Sequence, residues 1–189
     1  MIPDLNSFLR LLAGIAVTTC SACRTLPPVP EPPAAPLLFE WKGADLPGPI
    51  AVRIDLSEQK AALTRGGQDA GWTYVASGIS GHRTPTGSFR IIEKVEDKHS
   101  NSWGVIVDAA GNTVNRDAKN GRDAVPDRGE FVGAPMPFWM RFNGPFGMHA
   151  GFLPNPGQPA SHGCVRLPRE MAEILFGVTV LGTPVKIVP

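Results

Sequence analysis

The chain has 189 residues, among them 21 glycines and 20 prolines, and a formal net charge of +1 at pH 7. This length suits one domain with a buried core, and the nearly neutral charge gives no electrostatic reason to expect a nucleic-acid partner. The composition therefore argues against a nucleic-acid-binding module and for a single globular domain.

The first 23 residues differ from the rest of the chain. Arg10 precedes an apolar run at 11–19 that is too short for a stable bilayer-spanning helix, and small residues with two cysteines follow. This pattern resembles a bacterial lipoprotein signal, in which a cysteine is lipidated and becomes the new N-terminus. We expect lipidation at Cys23, with Cys20 as the second candidate. A plain cleaved secretory signal and an ordinary apolar helix are the alternatives. A lipoprotein signal predicts a periplasmic or cell-envelope protein that meets the membrane only through its lipid.

Residues 24–38 contain a dense run of prolines. Each proline fixes φ and removes a backbone donor, so this segment is predicted to be an extended, semi-rigid tether. The folded domain is expected to begin near Phe39 and to occupy residues 39–189.

The first half of that domain has strand patterns. Apolar and polar side chains alternate along 50–57, which predicts a half-buried strand. Residues 59–64 are expected to return as its hairpin partner. A glycine-rich turn at 65–69 then leads to a third strand at 72–77.

The middle of the domain is less regular. Residues 84–87 place Pro and Gly where a tight turn favours them, and strands are predicted at 89–95 and 103–108. The polar stretch 109–135 is predicted to be a long loop or excursion, and its charged part at 116–130 to be either solvated or a lid over a cleft. An apolar, aromatic segment follows at 137–142.

One helix is predicted near the C-terminus. Pro168 suits the first helical position, Glu170 and Glu173 favour the positive N-terminal end, and Gly177 can close the helix. Its buried stripe is predicted to be Met171, Ile174, Leu175 and Val178. A last strand at 185–188 completes a mainly β (α+β) fold with one principal helix.

Cys164 is the only cysteine beyond residue 23. Exported proteins normally carry paired cysteines, so a lone thiol suggests that its reactivity is used. It lies in the run 161–166, Ser-His-Gly-Cys-Val-Arg, and His149 lies twelve residues before that run. The sequence therefore predicts a cysteine nucleophile.

A thiol needs activation, because free cysteine has a pKa of roughly 8.5. His149 and His162 are candidate bases. His149 is the better one, because a proton-shuttling base usually comes from a separate element of the fold. The backbone N–H groups of Gly163 and Cys164 can converge as an oxyanion hole.

Three segments, in chain order, resemble the signatures of the L,D-transpeptidase (YkuD-type) catalytic domain: Thr84-Pro85-Thr86-Gly87-Ser88-Phe89, His149, and Ser161-His162-Gly163-Cys164-Val165-Arg166. The resemblance covers roughly 48–189. It implies a mixed β-sandwich that acts on peptidoglycan stem peptides without a cofactor or metal. The family's cysteine would attack the carbonyl of the third stem residue, release the terminal D-alanine, and pass the acyl group to an amine.

The resemblance also assigns residues. It places the nucleophile on Cys164, the base on His149 and the second motif histidine on His162, with the oxyanion donors on Gly163 and Cys164. The expected substrate-binding residues are Ser161, Arg166, Met148 and Gly151. One departure is that Ala150-Gly151 follows the base where many relatives have Gly and then Ser or Thr. The side chain that often orients the base is therefore missing, and a backbone carbonyl could replace it.

Several alternatives stay open on the sequence alone. Cys164 could be a buried structural thiol, or a zinc ligand together with His149 and His162. Arg166 could pair with an acidic neighbour, and Ser161 could serve only the turn. The acyl acceptor could be a second stem, water, a D-amino acid or an envelope protein. The chain could thus be a transpeptidase, an L,D-carboxypeptidase or cross-link hydrolase, or a non-catalytic wall-binding lipoprotein.

Overall fold

Thirteen strands and one helix make up residues 36–189, the part of the chain that this computed structural model describes. The first seven strands are β1 (Phe39–Trp41), β2 (Ile50–Asp55), β3 (Lys60–Arg65), β4 (Gln68–Tyr74), β5 (Gly87–Arg90), β6 (Glu93–Val95) and β7 (His99–Val107). The remaining elements are β8 (Thr113–Lys119), β9 (Glu130–Pro135), β10 (Trp139–Asn143), β11 (Phe146–Ala150), β12 (Val165–Leu167), α1 (Arg169–Val178) and β13 (Pro184–Val188). The expected signal segment, most of the tether, and the lipidation candidates Cys20 and Cys23 lie outside the described residues.

A six-stranded sheet, in the order β1-β4-β3-β2-β13-β5, forms one layer of the fold. Val52 and Ile54 of β2 are buried, whereas Arg53 between them is exposed, so the predicted alternation along this strand is confirmed. β2 pairs antiparallel with β3 and parallel with the C-terminal strand β13. The predicted hairpin and closing strand are therefore also confirmed.

A four-stranded sheet, in the order β12-β11-β10-β6, forms the second layer together with α1. One hydrophobic cluster joins side chains of both sheets and the helix, including Leu63, Met140, Leu167 and Met171, all with 0% exposure. This arrangement confirms the mainly β prediction with one principal helix after Cys164. Within residues 36–189, no helix has the length and apolar character needed to cross a membrane.

The helix boundaries differ slightly from prediction. The helix begins at Arg169, with Pro168 at the cap position, and ends at Val178 rather than at Gly177. Thr179 follows, and its hydroxyl donates to the carbonyl of Leu175 at 2.7 Å. A threonine hydroxyl thus closes the helix in place of the expected glycine.

The predicted strand 89–95 is divided between the two layers. β5 pairs with β13 in the six-stranded sheet, whereas β6 pairs with β10 in the four-stranded sheet. Between them the Ile91 N–H donates to the carbonyl of Thr183, and the Ile92 N–H donates to that of Arg141. The chain therefore changes from one sheet to the other between Arg90 and Glu93.

The prediction of a long loop at 109–135 is wrong. These residues carry β8 and β9, which flank β7 in a three-stranded antiparallel sheet, called the cap sheet below. Ala118 is the one buried residue of β8, so this strand lacks the apolar alternation by which strands are recognised. The cap sheet leaves and rejoins the body through two adjacent segments, where the Met136 N–H donates to the Lys98 carbonyl and the Phe138 N–H to the Glu96 carbonyl.

Replacing Leu63 with Ala tests the layered core. Leu63 has no exposed surface, so the cavity should lower the free energy of unfolding by about 2–5 kcal/mol, measured by denaturant titration. Leu181→Ala is the control, because that side chain is 64% exposed and its loss should change stability by less than about 0.5 kcal/mol. Equal effects of the two substitutions would contradict this packing.

Candidate active site

The pairing of two short strands assembles the candidate site. β11 and β12 run parallel with His149 opposite Arg166, and Cys164 directly precedes β12. His149, Cys164 and Arg166 all line a cleft of about 610 Å³. Trp103 and Lys119 of the cap sheet line the same cleft. The structure therefore brings the predicted nucleophile and base to one cavity, partly walled by the segment that was expected to be a loop.

Two hydroxyl groups fix the turn that carries Cys164. The Ser161 hydroxyl donates to the Cys164 carbonyl and accepts the Gly163 N–H at 3.0 Å. From outside the motif, the Thr84 hydroxyl donates to the Gly163 carbonyl at 2.8 Å and accepts the Gly78 N–H at 2.9 Å. The two separated sequence signatures are thus parts of one hydrogen-bonded structure, and Ser161 serves the turn.

Gly163 is required by both conformation and space. Its φ of +114° lies in a region that residues with a Cβ rarely adopt. A Cβ there would lie 2.6 Å from Cε1 of Phe146. The aromatic ring on β11 therefore packs directly against the turn and leaves no room for a side chain.

Gln59 supports the same turn from behind and was not predicted. The N–H groups of Ala160 and Ser161 both donate to the Ser77 carbonyl at 3.0 Å. Ser77 in turn donates its N–H to Gln59 Oε1 at 2.8 Å and accepts Gln59 Nε2 at its hydroxyl at 2.7 Å. Gln59 is 2% exposed and has a φ of +51°, so a strained residue positions this segment. A single Gln in a polar hairpin turn gives no sequence signal of such a role.

The environment of His149 fixes its tautomer. The ring is 6% exposed, and Nδ1 lies 2.8 Å from the Ala150 carbonyl oxygen. Because a carbonyl only accepts, Nδ1 must carry the proton and Nε2 keeps its lone pair. Burial lowers the pKa of His149 to about 4, although the Ala150 carbonyl acts in the opposite direction. At neutral pH the ring is therefore a neutral base oriented by a backbone carbonyl, which fills the role of the missing side chain.

Cys164 is held as a thiol. Burial raises its pKa, while a hydrogen bond from the Gly147 N–H and the positive charges of Arg166 and Arg141 lower it in part. The sulfur lies 3.8 Å from the Pro145 carbonyl, a weak contact of the kind a thiol donor makes. Sulfur and imidazole thus meet the cleft in their uncharged forms.

Arg166 is half-buried beside these two groups. A Cβ on Gly151 would lie 2.8 Å from Arg166 Cγ, so the absence of a side chain at 151 gives the arginine stem its path across the strand. Within residues 36–189, the guanidinium makes no ion pair with a carboxylate within 4.0 Å. The alternative that Arg166 pairs with an acidic neighbour is therefore wrong, and its guanidinium remains available to a ligand.

His162 faces the cap sheet. Its ring stacks on Trp103 with centroids 3.8 Å apart and planes 5° apart, and its Nε2 lies 3.3 Å from Asp117 Oδ1. His82 meets it edge-on at 5.0 Å. The pKa of His162 is lowered, mainly by burial, although Asp117 raises it. The imidazole is thus occupied by contacts with the cap, and its geometry is that of a positioning residue.

Two further expectations are corrected. Met148 has no exposed surface and belongs to the hydrophobic core, because alternation along β11 turns it away from the cleft that His149 faces. The Gly163 N–H is donated to the Ser161 hydroxyl, so this group does not point into the cleft. Within residues 36–189, no three His, Cys, Asp or Glu side chains converge as a metal site requires. His99 is exposed, and its Nδ1 lies 3.9 Å from Asp97 Oδ1.

Comparison with known proteins identifies the family. The family model described as YkuD, the L,D-transpeptidase catalytic domain, matches residues 49–187. This chain therefore belongs to the L,D-transpeptidase catalytic-domain family, as the sequence motifs indicated. No curated protein sequence matches the chain.

Solved L,D-transpeptidases share the fold. One from Stackebrandtia nassauensis is 21% identical over 75% of this chain and 56% of its own, with a TM-score of 0.53. One from Mycobacterium smegmatis is 16% identical over 74% and 58%, with a TM-score of 0.57. A cysteine-to-serine mutant from Enterococcus faecium is 24% identical over 76% and 51%, with a TM-score of 0.55. The chain thus spans little more than half the length of these structures.

The lowered pKa of His149 predicts a pH-dependent stability. Below pH 6.5 the unfolded chain takes up a proton that the folded ring does not bind until about pH 4, so stability is lost as the pH falls through this window. Between pH 7 and pH 5 the wild type should lose about 2 kcal/mol more than His149→Gln, measured by denaturant unfolding. His162 titrates in both proteins and cancels in the difference. Identical pH slopes would show that His149 is not buried as described.

Replacing Trp103 with Ala tests the contact between the cap sheet and His162. Stacked aromatic pairs contribute about 0.5–1.5 kcal/mol to stability. Trp103→Ala should therefore accelerate amide exchange across residues 99–135 about tenfold. Trp103→Phe keeps a stacking ring and should exchange almost like the wild type. The measurement is hydrogen–deuterium exchange with peptide resolution. Trp72→Ala removes a tryptophan from β4, outside the cleft, and should leave the cap unchanged. Equal protection of the cap in all four proteins would refute its docking through Trp103.

Proposed function

We propose that this protein is a peptidoglycan L,D-transpeptidase in which Cys164 forms a thioester with a stem tetrapeptide and transfers the acyl group to an amine. The observation that carries the proposal is that one cleft holds a single thiol, that of Cys164, and the buried, tautomer-fixed imidazole of His149 on the neighbouring strand. Membership of the L,D-transpeptidase family supports the reaction class and the substrate.

Acylation begins from the neutral pair. Because burial raises the pKa of the Cys164 thiol and lowers that of His149, the proton leaves sulfur only as sulfur bonds to the carbonyl carbon of the third stem residue. His149 Nε2 accepts that proton. The imidazolium so formed is a strong acid, since the pKa of this ring is about 4. It therefore gives the proton to the departing D-alanine nitrogen as the C–N bond breaks and the thioester forms.

The oxyanion of the tetrahedral intermediate needs a donor at the turn. The Gly163 N–H already donates to Ser161, so the N–H of Cys164 is the motif donor that we assign to the oxyanion. One preorganised donor of this kind is worth about 2.7–4 kcal/mol. The hydrogen bonds of Ser161 and Thr84 keep this donor in place.

The second half-reaction reverses the proton path. An incoming amine attacks the thioester carbonyl, His149 takes a proton from its nitrogen, and that proton returns to the Cys164 sulfur as the C–S bond breaks. A stem-peptide amine gives a cross-link, and an envelope-protein amine attaches that protein to the wall. Water in the same place gives an L,D-carboxypeptidase or cross-link hydrolase.

Arg166 is the residue that we assign to the substrate carboxylate. A half-buried guanidinium with no carboxylate partner in residues 36–189, next to both reacting side chains, suits the C-terminal carboxylate of the leaving D-alanine. Gly151 contributes by leaving the arginine stem its path. Ser161 and His162 then act on the turn and the cap rather than on the substrate.

The proposed location is the periplasm or cell envelope. It rests on the lipoprotein-type segment with Cys23 as the anchored residue, on the proline-rich tether, and on the envelope substrate of the family. A tether of this kind would carry the catalytic domain away from the membrane surface toward the wall.

Replacing Cys164 with Ala should abolish acyl transfer while the fold is kept. The assay is mass spectrometry of muropeptides after incubation with the purified chain, with the circular-dichroism spectrum reporting the fold. His149→Ala should lower the rate about 10²–10⁴-fold, the usual contribution of a general base. His99→Ala, an exposed histidine outside the cleft, is the matched control and should retain full activity.

A penem-type β-lactam separates an enzyme from a non-catalytic binder. The wild-type chain should gain the mass of one β-lactam, and Cys164→Ala should gain none. Full activity in Cys164→Ala, or an adduct that survives this substitution, would overturn the assignment of the nucleophile.

A further inference from the structure

The charged side chains that line the cleft are all positive. Four cationic side chains line it, namely Lys98, Lys119, Arg141 and Arg166. Among the described residues, none that lines the cleft is an aspartate or a glutamate. A concave surface lined by one sign of charge attracts ligands of the opposite sign, and partial exclusion of water strengthens that attraction.

Nearby carboxylates neutralise only part of this charge. Glu93 lies 2.8 Å from Arg141, so that guanidinium is already paired. Asp117 lies 3.3 Å from His162 and is close enough to act on Arg166. Lys98 also acts on Glu93, but more weakly than Arg141 does. The cleft therefore keeps an excess of positive charge on the side of the two lysines.

Neither lysine makes a direct ion pair. Within residues 36–189, no carboxylate lies within 4.0 Å of the ammonium group of Lys98 or Lys119. The Lys98 ammonium lies 5.8 Å from the ring centre of Trp139, and that of Lys119 lies 5.7 Å from the ring centre of Trp103. Each ammonium is thus placed over an aromatic face at the edge of the cleft, where it keeps its capacity to bind an anion.

The two lysines lie on different elements of the fold from Arg166. Lys119 ends β8 of the cap sheet, and Lys98 immediately precedes β7. Arg166 lies on β12, opposite His149 of β11. The single D-alanine carboxylate assigned to Arg166 leaves the two lysines without an anionic partner, and a substrate that also contacts them needs further negative charge.

We propose that Lys98 and Lys119 recognise free carboxylates on the acyl part of the donor stem, so that this enzyme prefers donors with ionised side carboxyl groups over donors in which these groups are carboxamides. The proposal rests on the proposed function for the reaction, and it names the class of donor. A carboxamide keeps the shape of the carboxylate but loses its charge, so only the charge-assisted part of the binding is removed.

Binding to the full-length Cys164→Ala chain tests this without chemistry. Two tetrapeptides that differ only in free carboxyl or carboxamide groups on the acyl part are titrated by calorimetry at low salt. The free-carboxyl peptide should bind about tenfold more tightly, and the preference should shrink as salt is added. Adding Lys98→Met or Lys119→Met should reduce the preference, whereas Lys186→Met, an exposed lysine on β13, should leave it intact.

Each result is decisive. Equal binding of the two peptides, or a preference that neither cleft lysine changes, would overturn the proposal. Wild-type turnover of both donors with equal kcat/KM, together with equal binding, would leave the transpeptidase function standing and this specificity refuted. A clear binding preference without any acyl transfer by the wild type would refute the proposed reaction and keep the assignment of the lysines.

Discussion

The register between β11 and β12 is the constraint on which the site depends. Side chains alternate between two faces along a strand, and here Met148 enters the core while His149 enters the cleft. A slip of one residue would exchange the two, placing an imidazole in the hydrophobic core and a thioether beside Cys164. The hydrophobic cluster that holds Met148 and Val165 therefore determines the positions of His149 and Cys164. Packing and chemistry are set by the same two short strands.

Burial then sets the protonation states of both reacting groups. It keeps the His149 imidazole unprotonated and the Cys164 thiol protonated, so neither carries charge before substrate arrives. A protonated thiol is also a poor target for oxidants, because the thiolate is the form that they attack. For a lone cysteine in the oxidising compartment proposed here, burial therefore protects the thiol of Cys164, the proposed nucleophile.

The sequence predicted the parts of the molecule where a local pattern or a single residue has one strong physical cause. The alternation of β2, the helix after Pro168, the lone Cys164 and the motif glycine are of this kind, and the structure contains the predicted strand, helix and turn. Strands β8 and β9 of the cap sheet were missed because β8 has a single buried residue and β9 has none, so no buried apolar face imposes a period on their sequence. The contacts of Gln59 and the stacking of Trp103 on His162 join segments distant in sequence, so no local pattern reports them. The family resemblance assigned Met148 to the substrate, whereas the alternation along β11 places its side chain in the hydrophobic core.

The path of the chain through the cap has a consequence for how this protein can change. Residues 96–98 and 136–138 leave and rejoin the body side by side, and everything between them forms a sheet that shares no strand with either main layer. The stretch is topologically an insert, so its residues can be exchanged without breaking a hydrogen-bonded ladder of the core. The thiol, the imidazole and their supporting hydroxyls all lie outside it. The cap sheet, which brings Trp103 and Lys119 to the cleft, can thus change in sequence while the segments that hold Cys164 and His149 stay fixed.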